Sequence, residues 1–177
     1  MDSFFELIAK RESCRNYAEK KVEREKLEKC IEAASLAPSA CNSQPWSFTA
    51  VDSPEFAPQV ATCLQEMGMN KFTDKCPAFI IIAEEKATLS ARIGGKVKNQ
   101  EYAPIDIGLA TAQLCLAATE QGLSTCIMGW FNEPQLKELL DIAKEKRIRL
   151  VIAVGYAADE EHRQKNRKNL EDIARFI

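Results

Sequence analysis

Apolar positions recur at helical spacing in some stretches of this chain and run continuously in others. Ser3-Phe4-Phe5-Glu6 has the S-x-x-E spacing of a capping box. Phe4, Phe5, Leu7 and Ile8 behind it predict a short amphipathic helix ending near Lys10. A second helix is expected over Val22–Leu36, with Leu27, Cys30, Ile31 and Ala34 on one side and Pro38 as its stop. Ser47–Val51 reads as a strand and Pro54–Gln65 as a helix with Val60 and Leu64 inward. Phe79-Ile80-Ile81-Ile82 makes Ala78–Ala83 a strand buried on both faces. Ala91–Gln100 is polar and reads as a mobile surface loop or lid. Ala103–Gln121 should be the longest helix, with Gly122 as its left-handed cap. Ile105, Leu109, Ala112 and Leu116 form one apolar stripe on it, while Ile107, Leu114 and Ala118 lie elsewhere. It is therefore either a fully buried central helix or one that runs through a subunit interface.

Ser124–Met128 is a short strand entering a bend at Gly129-Trp130-Phe131. Asn132-Glu133-Pro134 starts another helix, with Leu136, Leu139 and Leu140 on one side. Arg149–Tyr156 is the last obvious strand. Asn169–Ile177 is expected to form a terminal helix that buries Leu170, Ile173 and Phe176. Helices and strands thus alternate in one α/β or α+β domain, 1–177, of four strands whose directions periodicity leaves open.

Composition narrows the classes. The 177 residues are 46% hydrophobic and 28% charged, ordinary for a globular protein with a substantial core. A net charge of −2, and basic residues without interleaved aromatics, argue against a nucleic-acid partner. No apolar run approaches the roughly 18–20 residues of a membrane span, and the acidic start lacks the pattern of a signal peptide. Seven cysteines, an odd number with no C-x-x-C pair, read as free and mostly buried thiols in a reducing cytoplasm. His162 is the only histidine, which excludes multi-histidine metal sites and leaves little room for a Ser-His-Asp triad. An enzyme with this composition would bring its reactive group with a cofactor.

The candidate chemistry lies at the two ends and in one loop. Arg11-Glu12-Ser13-Cys14-Arg15 carries two guanidinium forks with a hydroxyl between them, and Lys165-Asn166-Arg167 is a second basic group. Two such clusters in a slightly acidic chain suit one anionic ligand, although each alone is also an ordinary solvated surface. Ala37–Trp46 is dense in small polar side chains between two prolines. Ser39, Asn42 and Gln44 in it are able to bond a polar ligand edge, or simply to cap a turn over a packed Trp46. Gly94-Gly95-Lys96 lacks the spacing of a phosphate loop, and no G-x-G-x-x-G occurs.

Taken together, Arg11–Arg15, Ala37-Pro38-Ser39 and Asn42-Ser43-Gln44-Pro45-Trp46 resemble the N-terminal signature of FMN-dependent nitroreductases. Asp106-Ile107-Gly108, Gly122–Cys126, Met128-Gly129 and Lys165-x-Arg167 follow in that family's order. The resemblance implies an α+β sandwich with a mainly antiparallel central sheet, in an interlocked homodimer holding two FMN molecules at the subunit interface. By motif, Arg11, Glu12, Ser13 and Arg15 would contact FMN, with Arg11, Lys165 and Arg167 at its phosphate. Arg15 would lie nearer the pyrimidine edge, as a cation tuning the reduced flavin. Pro38, Ser39, Ala40, Asn42 and Gln44 would approach the flavin of the opposite subunit. Asn70 matches a family asparagine at the pyrimidine ring, and Met128 and Gly129 would present backbone to N5. NAD(P)H would pass hydride to N5 and leave, and a nitroaromatic, quinone or similar small acceptor would take its place. The chain is short for the family, so Ala91–Gln100 and Gly68–Asn70 are the candidate lid segments. A flavin-binding sensor or carrier of the same fold, and a helical dimerisation module resting on Ala103–Gln121, are the competing readings.

Overall fold

A computed structural model describes residues 3–159 and 163–177. Among these described residues there are seven α-helices: α1 (Phe4–Lys10), α2 (Arg24–Ser35), α3 (Ala57–Leu64), α4 (Leu89–Lys98), α5 (Tyr102–Glu120), α6 (Glu133–Leu139) and α7 (Leu170–Ile173). Four strands, β1 (Trp46–Val51), β2 (Ala78–Glu84), β3 (Ser124–Met128) and β4 (Arg147–Gly155), form one sheet in the order β1-β2-β4-β3. Every neighbouring pair of these strands is antiparallel. The fold is thus α+β, an antiparallel sheet between helices, as the family resemblance implied.

The sheet works as the middle layer because β2 is apolar at every inward position. Alternate side chains point to opposite faces, so Phe79, Ile81 and Ala83 enter one core while Ala78, Ile80 and Ile82 enter the other. On the first face lie Val60 and Leu64 of α3 and Leu136 of α6. On the second lie Leu27 and Cys30 of α2 and Ile107, Ala110, Leu114 and Ala118 of α5. A side chain such as Ile80 or Ile152, buried completely, contributes roughly 1.5–3 kcal/mol relative to an exposed one.

Local signals fix several ends. Ser3 and Glu6 close a capping box at α1. Gly122, at φ +73°, ends the α5 segment in the left-handed region. Asn132 accepts from the Gln135 N–H at 3.1 Å to open α6. Gly155 permits a close approach: a Cβ there would meet a Tyr17 ring carbon at 2.7 Å and Pro77 at 2.8 Å.

Two expectations are corrected. Residues 89–98 are helix α4, not a loop, with Thr88 accepting from the Ala91 N–H and Asn99 closing the helix in the left-handed conformation. The terminal helix shrinks to Leu170–Ile173, and Leu170, Ile173 and Phe176 stay exposed, because no element among the described residues covers them. Helix α5 buries Ile107, Leu114 and Ala118 and leaves Ile105 (49%) and Leu109 (43%) exposed, with Gly108 and Ala112 beside them. Among the described residues, no helix is long and apolar enough to cross a membrane.

Glu133 ties α6 to β4. Its carboxylate takes the Ile148 N–H at 2.8 Å, the Lys137 amine at 2.9 Å and the Arg147 guanidinium. Burial pushes this carboxyl up, but these donors outweigh it and hold it below the ordinary glutamate range. A carboxyl depressed in the folded state stabilises above the unfolded value, about 4.3, and loses that contribution as pH falls through the folded one. Glu133→Gln should therefore cost roughly 1–3 kcal/mol in urea unfolding at pH 7. The gap should close on acidification below the ordinary glutamate range; an equal gap at pH 7 and pH 3 would contradict this.

Candidate functional site

After α1 the chain runs along the free edge of β3. Ser13 forms a parallel bridge with Thr125, and the Cys14 N–H donates to the Thr125 carbonyl at 2.9 Å. Tyr17 then bridges Ala157, with bonds from Ala18 N–H to Tyr156 and from Ala158 N–H to Asn16. The alternation of an extended chain sends Cys14 into the core and leaves Arg15 exposed. Tyr17 is also buried, and burial pushes its phenol far up, so it is a neutral anchor.

The basic C-terminal segment crosses this edge. The Arg163 N–H donates to the Glu12 carboxylate at 3.2 Å, and its guanidinium donates to the Ser13 carbonyl. Lys165 donates to the Ile8 carbonyl at 3.2 Å and to that of Ala9, at the C-terminal end of α1. The Lys165 amine is held below its ordinary value, first by loss of solvent and then by the positive charges of Arg11 and Arg167. Arg11, Lys165 and Arg167 therefore share one neighbourhood, although over 150 residues separate them in sequence. Beside them, Glu12, Ser13, Cys14, Arg15, Ala157 and Arg163 line a cavity of about 390 Å³ that Asn16 and Asp159 complete. Arg163 was not singled out in sequence. The i, i+2, i+4 spacing of Arg163, Lys165 and Arg167 is the signal that could have found it. His162 lies outside the described residues.

The 38–44 loop is a separate structure. Its Ala40–Asn42 turn is 3-10, with Cys41, Asn42 and Gln44 at φ 53°, 50° and 45°. The Ala40 N–H donates to the buried Asp106 carboxylate at 3.1 Å, which seats the turn on the start of α5. Ser39 Oγ accepts from the Gln44 N–H at 2.9 Å, and the Gln44 amide bonds Asn42 Oδ1 at 3.1 Å. The expected ligand-bonding groups Ser39, Asn42 and Gln44 are thus largely bonded to one another. Pro38 is exposed.

Asn70 sits at φ 49°, and its amide nitrogen donates to the Leu64 and Trp130 carbonyls, each at 3.1 Å. With the Trp130 indole N–H on the Glu66 carbonyl, this pins the Gly68–Asn70 segment against the bend after β3. That half of the Asn70 side chain is committed to structure. Met128 is buried at the end of β3, while Gly129 is exposed with nothing within 4 Å of where a Cβ would stand. The cavity at Ser13 is lined by no residue of the 38–44 loop, so one chain does not bring these two groups together there. Among the described residues, no three or more His, Cys, Asp or Glu converge as a metal set.

The sequence model of the Nitroreductase family matches residues 8–66 and 57–156. The chain belongs to the Nitroreductase family. Its relatives include the Bacillus subtilis protein named "Putative NAD(P)H nitroreductase YdgI", 27% identical over 190 residues and covering 90% of each chain. Among solved structures, a nitroreductase family protein of Streptococcus pneumoniae TIGR4 superposes with a TM-score of 0.83 at 24% identity. That match covers 99% of this chain and 100% of the other. A protein of Exiguobacterium sibiricum 255-15, solved in complex with FMN, superposes at 0.82 with 24% identity, covering 100% and 98%. At these identities the structural likeness establishes the nitroreductase fold.

Within this family member six cysteines are buried and Cys41 is exposed. Burial raises the thiols of Cys14, Cys63, Cys115 and Cys126, that of Cys30 to about 11 and that of Cys76 to about 12. An aromatic disulfide reagent should titrate one thiol rapidly in the native protein and seven after denaturation. Cys41→Ser should abolish the rapid phase; a second equally fast thiol would contradict the arrangement.

Proposed function

We propose that this protein is an FMN-dependent oxidoreductase that takes hydride from NAD(P)H and passes it to a nitroaromatic, quinone or similar conjugated acceptor. The single observation that carries this reading is the seating of Lys165 on the Ile8 and Ala9 carbonyls beside Arg11, where loss of solvent first, and then the charges of Arg11 and Arg167, hold its amine below its ordinary value. A cluster that disfavours its own charge fits a dianion, and the phosphate of a mononucleotide supplies one. Family membership and the FMN complex of the Exiguobacterium protein support FMN as that mononucleotide.

In this reading Arg11, Lys165 and Arg167 bind the phosphate, through charge-assisted bonds of about 1.5–3 kcal/mol each. Glu12 and Arg163 hold Ser13 in register, and the Ser13 hydroxyl and Arg15 face the flavin. Arg15 stabilises negative charge on the reduced ring, while the backbone of Met128 and Gly129 borders the reacting edge and Asn70 holds that border in place. When bound, FMN supplies hydride acceptance and donation in two successive half-reactions at one site. The loop carrying Pro38, Ser39, Ala40, Asn42 and Gln44 serves the flavin of a second subunit. The exposed α5 face of Ile105, Gly108, Leu109 and Ala112 supports this homodimer, because it is an apolar stripe that nothing in one chain covers. We place the protein in the cytoplasm, where reduced thiols and NAD(P)H occur together.

Protein loaded with FMN should bleach anaerobically with NADH or NADPH and recolour with an acceptor. Arg11→Ala and Arg167→Ala should each weaken FMN binding at least about 10-fold by fluorescence titration. Because a bound dianion holds the proton on Lys165 more firmly, affinity should fall as pH rises through the depressed Lys165 value. Unchanged FMN affinity in both arginine variants would contradict the reading. Leu109→Glu should shift the sedimenting species from dimer to monomer; a wild-type monomer would overturn the dimer.

A further inference from the structure

The end of β2, helix α4 and the start of α5 enclose a cavity of about 460 Å³, larger than the one beside Ser13 and sharing no residue with it. Its existence depends on how tightly α4 folds back. A Cβ on Gly95 would stand 2.7 Å from the Gln100 carbonyl oxygen and 3.6 Å from a Tyr102 ring carbon. Only glycine lets the helix close on this turn, and the Tyr102 ring then forms part of the wall.

The charges in this wall are unequal. Glu84 is neutralised by Arg149 and Glu85 by Lys146, in both cases through carboxylate contacts. That leaves Lys86, Arg92 and Lys96 lining the cavity, against Glu101. The side chains of Lys86, Arg92 and Lys96 make no hydrogen bond or ion pair among the described residues. Arg92 and Lys96 stand four positions apart on α4, where like charges repel by about 0.2–0.5 kcal/mol. Lys96 lies in the last turn, where the helix dipole favours a cation, but Arg92 lies near the start, where it does not. An anion in the cavity would relieve both the repulsion and this misplacement. The remaining wall sets the small apolar Ala87, Ala91, Gly95, Ala103 and Pro104 and the Tyr102 ring, which suit a flat ring, beside the polar Asn99 and Gln100.

We propose that this cavity binds a planar small molecule bearing an anionic group, with Arg92 and Lys96 holding the anion. The site stands apart from the Arg11 cluster and does not require that cluster to hold FMN. Two pairs of probes separate a carboxylated ring from a phosphorylated one: 4-nitrobenzoate against 4-nitrobenzamide, and adenosine 5′-phosphate against adenosine. In calorimetric titration at low salt, at least one anion should bind 10-fold or more tightly than its neutral counterpart. Arg92→Ala with Lys96→Ala should abolish that preference, while Arg92→Lys with Lys96→Arg should keep it as a control for an intact α4. Arg11→Ala with Arg167→Ala should leave it unchanged, so that a failed FMN site and a failed second site are read separately. No preference in the wild type, a preference that survives loss of Arg92 and Lys96, or one that disappears with Arg11 and Arg167 would each overturn the proposal.

Discussion

The hydrogen bond from the Cys14 N–H to the Thr125 carbonyl sets the register on which the rest of the site is built. A slip of one residue would send Cys14 outward and Arg15 into an apolar core, at the cost of burying a charge. The register is held from below by Tyr17, whose ring needs the missing side chain at Gly155. It is held from above by Arg163, which takes both the Ser13 carbonyl and the Glu12 carboxylate. The strap that gathers the cations is thus tied to the same strand that carries Arg11 and Arg15.

This arrangement explains why positive charge accumulates in a chain of net charge −2. Arg11, Lys165 and Arg167 repel one another, and the carbonyls at the end of α1 accept the Lys165 amine and offset only part of that repulsion. Packing and backbone bonds elsewhere impose the cluster. The same economy runs through α5. Its buried side locks to the sheet, its start seats the 38–44 turn through Asp106, and its outer stripe stays exposed. One helix therefore connects the core, the proposed subunit contact and the loop assigned to the second subunit's cofactor.

Much of this was legible in the sequence wherever one local interaction decides the outcome. Ser124–Met128, the capping box at Ser3, the cap at Gly122 and the doubly buried run Phe79–Ile82 were all readable because a period or a cap determines each. Helix α4 was not, since Gly94 and Gly95 argue against a helix in isolation, and only packing on Gln100 and Tyr102 makes them fit. The bonds among Ser39, Asn42 and Gln44 were hidden because composition shows donors and acceptors without their partners. Strand directions and the role of Arg163 depend on contacts between distant segments, which periodicity does not encode. The convergence of the two basic ends was inferred from charge alone; the bonds from Lys165 to the Ile8 and Ala9 carbonyls are the contact between those ends that periodicity does not encode.

The central claim is electrostatic: cations from both ends of the chain jointly hold one phosphate. Titrating apoprotein with FMN and with riboflavin, which differ only in that group, over a range of salt concentrations tests it most directly. The account predicts that FMN binds at least about 100-fold more tightly at low salt, as two charge-assisted bonds would give, and that the advantage shrinks as salt is raised. Equal affinities for the two flavins, independent of salt, would contradict it.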